Sequence, residues 1–373
     1  MRDPLLLTGL AGEPSAILVD GGRIAALGRA AEAQAEPGST TVVRATGLRA
    51  VAGFIELQVN GVGHHDFTTD PTTMWRAGRE LARNGVTAFL PTIVTSPRGT
   101  VERAIEALAD APKPIEGAVP VGIHVEGPFI APARRGAHDE RHLREPDLDE
   151  IARWVAGGVR VLTLAPELPG AVEAIRRVVA AGAVASVGHT DADATTTEDA
   201  IDAGARYATH LFNAMPPLHH RAPGAVGALL GDDRVTLGVI ADGVHVHPAV
   251  LALAARLATG RISLVSDQVA DRLGDAALAT DAGTARLVDG TLAGSLHSLD
   301  HGVRTFAGIT GSLEAALGAV TTIPARLLGL DDGRGSLLPG GRADITLLDD
   351  RLHVLATLVA GEVAFRSEVI AWP

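Results

Sequence analysis

The chain has 373 residues, 46% of them apolar, with no cysteine and a formal net charge of −12. That length supports a large core, either one big α/β domain with an appendage or two domains. The acidic balance without any basic run argues against nucleic acid, the missing cysteines exclude disulfides and thiolate metal sites, and no apolar run reaches the roughly 18 residues of a membrane span.

The opening stretch MRDPLLLTGLAGEPS meets Gly and Pro after a short apolar run, so it makes a poor secretory signal and a cytoplasmic protein is expected. Next comes SAILVDGGRIAALG, two short strands across an Asp20-Gly21-Gly22 turn, which predicts a hairpin. Short β-branched runs then follow at 51–59, 86–92, 119–125, 160–165, 183–188, 206–210, 234–240 and 261–266. Between most of them, Ala- and Leu-rich stretches predict helices over 72–84, 97–109, 147–157, 170–181, 193–203 and 248–258. Eight strands with intervening helices predict an α/β fold, a (β/α)8 TIM-like barrel over residues 50–334. A doubly wound sheet competes, but no G-x-G-x-x-G follows the first strand. Residues 335–373 return to short strands with glycine turns, so 1–49 and 335–373 are expected to meet as one small β-sandwich domain.

In such barrels chemistry sits at the carboxyl ends of the strands. The third strand ends His124-Val125-Glu126, the fifth Gly188-His189, the sixth Thr209-His210 and the eighth Ser266-Asp267. A lone strand-end histidine is more often a hydrogen-bonded core residue than a ligand, and a lone glutamate could cap a loop. Four acid or imidazole groups, all at strand termini, point instead to a site. Glu126, His189 and His210 make a three-ligand set with an open position, suited to a catalytic Zn²⁺ or similar ion. Asp267, with no cation beside it in sequence, is the candidate general base.

These residues carry a family likeness. GIHVEGPFIAPARRGAH (122–138), SVGHTDAD (186–193), ATHLFNAMPPLHHRAPGAVG (208–227) and ADGVHVHP (241–248) resemble the N-acetylglucosamine-6-phosphate deacetylase family of the amidohydrolase superfamily. The resemblance implies a barrel hydrolase that removes acetate from a phosphorylated amino sugar, with no nucleic-acid or membrane partner, as a homodimer. It matches Glu126, His189 and His210 to the metal ligands and Asp267 to the catalytic acid/base. Asn213 and Ala214 match contacts to the sugar phosphate, Arg221 and His245 its cationic partners, one of them supplied by a neighbouring subunit, and His138 a sugar-hydroxyl contact. An acidic protein that binds a phosphate dianion needs local positive charge, and His219-His220-Arg221 supplies it.

The first strand ends Gln58-Val59-Asn60, where many amidohydrolases carry His-x-His for a second metal. Amides are weak ligands, so the resemblance implies one divalent ion per subunit, zinc first and iron, cobalt or manganese as alternatives, with Gln58 and Asn60 beside it. No lysine closes the fourth strand to bridge two metals: the only lysine, Lys113, lies in a Pro-flanked linker. His64 and His65 are expected to be loop residues. The chain departs from the family at Gln268, Asp271 and Arg272, and again in GSLHSLD (294–300), with His297, Ser298 and Leu299. Both segments are expected near the acyl group, which keeps open an amidohydrolase acting on a different N-acylated amino sugar or amide. A non-catalytic barrel is the third reading.

Overall fold

The strand Val86–Val94 is buried at every position. An apolar run without alternation fits a parallel strand that faces a packed barrel interior on one side and helices on the other. It is the second of eight: Phe54–Val59, Val86–Val94, Ile123–Glu126, Val159–Leu164, Val184–Val187, Tyr207–Ala208, Thr236–Ile240 and Ile262–Val265. Each pairs in parallel with the next in chain order, as expected of a (β/α)8 barrel. This computed structural model describes residues 3–112, 115–281, 283–370 and 372. Lys113 lies outside them.

The six anticipated helices form at Met74–Arg83, Thr100–Ala109, Leu148–Ala156, Ala171–Ala180, Ala194–Asp202 and Pro248–Leu257. Their starts follow capping chemistry. The Asp147 carboxylate accepts from the N–H groups of Asp149 and Glu150, and Asp193 does the same for Thr196. Two more helices, Gly224–Gly231 and Leu299–Thr310, follow the sixth and eighth strands.

The run at 51–59 divides. Arg49–Ala52 pairs antiparallel with Ile345–Leu348, while Phe54–Val59 enters the barrel. Gly53 makes the crossing, because a Cβ there would stand 2.2 Å from the Thr87 hydroxyl. Outside the barrel, the N-terminal strands Leu5–Thr8, Ala16–Asp20, Arg23–Leu27 and Thr41–Arg44 form one four-stranded sheet. The second joins Arg49–Ala52 to Ile345–Leu348, Val354–Val359 and Glu362–Arg366. Leu5, Leu7, Ile17 and Ile24 share one apolar core with Ile345, Leu347 and Leu358, so the two termini are packed together. Between the eighth strand and Leu299–Thr310, residues 272–295 form short antiparallel strands that no local pattern announces. No helix among the described residues is long and apolar enough to cross a membrane.

Candidate active site

Glu126 is the last residue of the third strand, and His189, His210 and Asp267 each stand two residues beyond the fifth, sixth and eighth. Glu126 Oε1 lies 3.1 Å from His189 Nε2 and 2.9 Å from His210 Nε2, and the two imidazole nitrogens are 3.1 Å apart. The Arg134 carbonyl is 2.8 Å from His189 Nδ1. A carbonyl only accepts, so Nδ1 carries the proton and the Nε2 lone pair faces the cluster. Burial alone would raise the Glu126 carboxyl, but the two imidazoles outweigh it and hold it well below the usual range. One carboxylate and two inward-facing imidazoles, buried and converging, fit a divalent cation.

Glu126, His138 and His189 also stand close, with donor atoms within 4.8 Å of one another. The tautomer of His138 argues against ligation. Its Nδ1 meets the Thr95 hydroxyl at 2.7 Å and accepts the Thr95 backbone N–H at 3.3 Å, and burial, reinforced by His189, pushes its pKa down to about 3. The neutral ring therefore carries its proton on Nε2 and offers a donor, not a lone pair. His210 Nε2, 2.9 Å from Glu126 Oε1 and 3.1 Å from His189 Nε2, completes a tighter set of three.

Beneath this cluster lies a polar layer. His124 bonds the Leu57 carbonyl at 3.0 Å and the Thr163 hydroxyl at 2.7 Å. Thr163 and Ser186 both reach the Thr209 hydroxyl at 2.6 Å. Five strands are thus tied together directly below the residues that face the cavity.

Gln58 and Asn60 turn their nitrogens to carboxylates. Gln58 Nε2 donates to Glu126 Oε1 at 3.2 Å and to Asp267 Oδ1 at 3.1 Å, and Asn60 Nδ2 donates to Asp267 Oδ1 at 2.8 Å. The amide oxygens, Gln58 Oε1 and Asn60 Oδ1, are buried without a partner. Burial, then the charge of Glu126, raises the Asp267 carboxyl to about 6. Strain gathers at the same place. Of seven non-glycine residues with positive φ among the described residues, five are His189, His210, Phe212, Ala214 and Asp267. Each such conformation costs on the order of 1–3 kcal/mol and persists where surrounding structure imposes it.

A cavity of about 250 Å³ opens over these groups, lined by Asn60, Glu126, His138, His189, His210, Asn213, Ala214, His245 and Asp267 among others. His245 is held by Asp242 Oδ2 at 2.6 Å from Nδ1, which presents the other ring nitrogen to the cavity. Gln58 is fully buried below the lining. Arg221 does not line the cavity: it is exposed, and its guanidinium meets His220 Nε2 at 2.8 Å. His64 is exposed and pairs with Asp271 at 2.8 Å, away from the cluster. Of the residues that depart from the family pattern, Gln268, Asp271, Arg272 and His297 are not in the lining. Leu273 and Thr291–Gly294, brought in by the 272–295 excursion, are; Gly294 opens the 294–300 segment expected near the acyl group, and no sequence signal marked the other four.

The amidohydrolase family profile matches residues 50–367. The chain is 40% identical over 340 residues to N-acetylglucosamine-6-phosphate deacetylase of Bos taurus, covering 85% of this chain and 83% of that one. Among solved structures, N-acetylglucosamine-6-phosphate deacetylase from Pasteurella multocida superposes with a TM-score of 0.89 at 27% identity, covering 96% of this chain and 99% of that one. A mutant of the Mycobacterium smegmatis deacetylase, in complex with N-acetyl-D-glucosamine-6-phosphate, superposes with a TM-score of 0.86 at 34% identity, covering 97% of this chain and 99% of that one.

Proposed function

The chain belongs to the amidohydrolase family, and we propose that its cavity hydrolyses the acetamide of N-acetylglucosamine 6-phosphate to glucosamine 6-phosphate and acetate. The observation that carries this reading is the convergence of Glu126, His189 and His210, with donor atoms no more than 3.1 Å apart, beside an amide-clamped Asp267. We assign Glu126, His189 and His210 to one divalent ion per subunit, zinc first, since two imidazoles and a carboxylate also suit iron, cobalt or manganese. When bound there, the ion supplies Lewis acidity to the amide carbonyl and to the attacking water.

The remaining steps belong to side chains. Both amides donate to Oδ1 of Asp267, and among the described residues no donor is bonded to Oδ2. Oδ2 is the atom we assign to proton transfer, first taking a proton from the attacking water and then giving it to the departing amine. His138 offers its Nε2–H to a substrate oxygen, in keeping with a sugar-hydroxyl contact.

At the other end, Asn213, Ala214 and His245 line the wall that we assign to the phosphate. Arg221 reaches the phosphate in this reading from a neighbouring subunit, because its exposed loop does not line the cavity of its own chain. A homodimer is the simplest assembly that supplies it. A panel of phosphorylated and unphosphorylated N-acyl sugars, run on enzyme of known metal content, tests the proposal. A wild-type enzyme indifferent to the 6-phosphate, or inactive with any acylated amine, removes it.

A further inference from the structure

Parallel ladders join every neighbouring pair from strand one to strand eight, but among the described residues strand eight returns to strand one through no ladder, only through an isolated parallel bridge between Val59 and Gln268 at the cavity end. Part of that seam is filled from outside the barrel: the carbonyls of Val320 and Ala319 accept from Ile55 N at 2.7 Å and Leu264 N at 3.0 Å. Nearer the cavity a side chain bonds across the seam, beneath main-chain bonds from the Asn60 and Gly61 N–H groups to the Gln268 carbonyl at 2.7 and 3.1 Å. Glu56, 1% exposed, takes the Ser266 N–H at 3.3 Å on Oε1 and 3.1 Å on Oε2, and its Oε1 also takes the Gln58 N–H at 3.1 Å.

The two backbone groups it holds are not arbitrary. Ser266 immediately precedes Asp267, and Gln58 is one of the two amides bonded to the Asp267 carboxylate. One carboxyl therefore grips the main chain on both sides of the contact between clamp and base. Asp267 itself sits at φ 49°, which a non-glycine residue keeps only where its neighbours impose it. Its N–H reaches the Gln58 carbonyl at 3.0 Å, so the same seam carries a second bond one residue on.

We propose that Glu56 is a positioning residue for proton transfer: by binding the N–H groups of Ser266 and Gln58 it fixes where the Asp267 carboxylate stands relative to its amide clamp and the substrate. This rests on the reading of Asp267 as the proton carrier. A seam staple with no bearing on the reaction would affect stability alone.

Four proteins separate the two roles: wild type, Glu56→Gln, Asp267→Asn and the double variant, each measured for kcat, KM and bound metal. Glutamine keeps the volume but sets an NH2 where Oε2 stood, so the Ser266 N–H loses its 3.1 Å acceptor and keeps only the longer contact to Oε1, which it shares with Gln58. Glu56→Gln should lower kcat by about 10- to 100-fold, the cost of a small misplacement of a reacting group. KM and metal content should hold. In the Asp267→Asn background the same change should cost nothing further, because a residue that acts only through Asp267 is non-additive with it. Hydrogen exchange in the peptide 262–268 should quicken in Glu56→Gln whether or not substrate is present. If Glu56→Gln does not fold, Glu56→Asp, a shorter carboxylate, takes its place in the same cycle. Unchanged kcat in the single variant, or a full further loss in the Asp267→Asn background, overturns the proposal. Asp267→Asn at wild-type kcat instead overturns the proton-carrier reading, a distinct result.

Discussion

Asn60 Nδ2 lies 2.8 Å from Asp267 Oδ1, so an amide beyond the first barrel strand is bonded to a carboxylate beyond the eighth. An amide nitrogen has no lone pair to give a metal, and it is already engaged as a donor. Gln58 repeats the arrangement with Asp267 and Glu126. Where a His-x-His pair would face a second ion, this chain turns two amide nitrogens to the carboxylate proposed as its base, which accounts for neutral amides at this strand end on that reading.

One ion per subunit is therefore expected. Elemental analysis of active enzyme should give about one equivalent, the count of a single three-ligand site. A reproducible two equivalents, with activity that tracks the second, would show that the amides do not block another ion.

Asp267→Asn keeps shape while removing the proton acceptor. It should lower kcat by about 10²–10⁴-fold, the range for a general acid–base group. Metal content should be retained, because Glu126, His189 and His210 converge without it. Loss of the ion in this variant would make Asp267 a ligand.

The barrel was legible because its signals are local. Short β-branched runs and Ala-rich helices alternate, and strands such as Val184–Val187 and Ile262–Val265 form within the expected runs. Glu126, His189, His210 and Asp267 were legible because each stands at the end of such a run. What was not legible depends on contacts between distant residues. Gly224–Gly231 is a helix of small and apolar residues whose three glycines disguise it. Leu273, Thr291, Leu292 and Ala293 reach the cavity through an excursion with no periodicity. Glu56 sits in a run whose only other polar residue is Gln58, and its partner Ser266 is 210 residues away. The break at Gly53 was hidden because a continuously buried run does not show which of two sheets it serves.

The acid limb of the activity follows from the base. Burial and the charge of Glu126 raise the Asp267 carboxyl to about 6, and only its ionised form accepts a proton. Activity should be fully present above that value and lost as pH falls through it, about tenfold per unit. A bound cation favours the ionised form and moves the midpoint lower, so the limb should appear at or below about 6 in the metal-loaded enzyme. The profile of log kcat against pH checks this. An acid limb that survives unchanged in Asp267→Asn belongs to another group.

The phosphate is what separates this enzyme from a general deacetylase, and Arg221 is the residue to change. A guanidinium can hold a phosphate by two parallel charge-assisted hydrogen bonds, which a lysine cannot reproduce. Binding energy from that remote group can position the amide as well as retain the substrate. Arg221→Ala should lower kcat/KM for the 6-phosphate by about 10²-fold, roughly 3 kcal/mol at 1.4 kcal/mol per decade. The slow reaction with unphosphorylated N-acetylglucosamine should barely change. Because Arg221 is exposed and outside its own chain's cavity, its effect should also cross between subunits. Mixing Arg221→Ala chains with Asp267→Asn chains creates hybrid dimers in which one site keeps both groups, so phosphate-dependent activity should partly return. Equal losses on both sugars would make Arg221 structural, and no recovery in the mixture would place it with the cavity of its own chain.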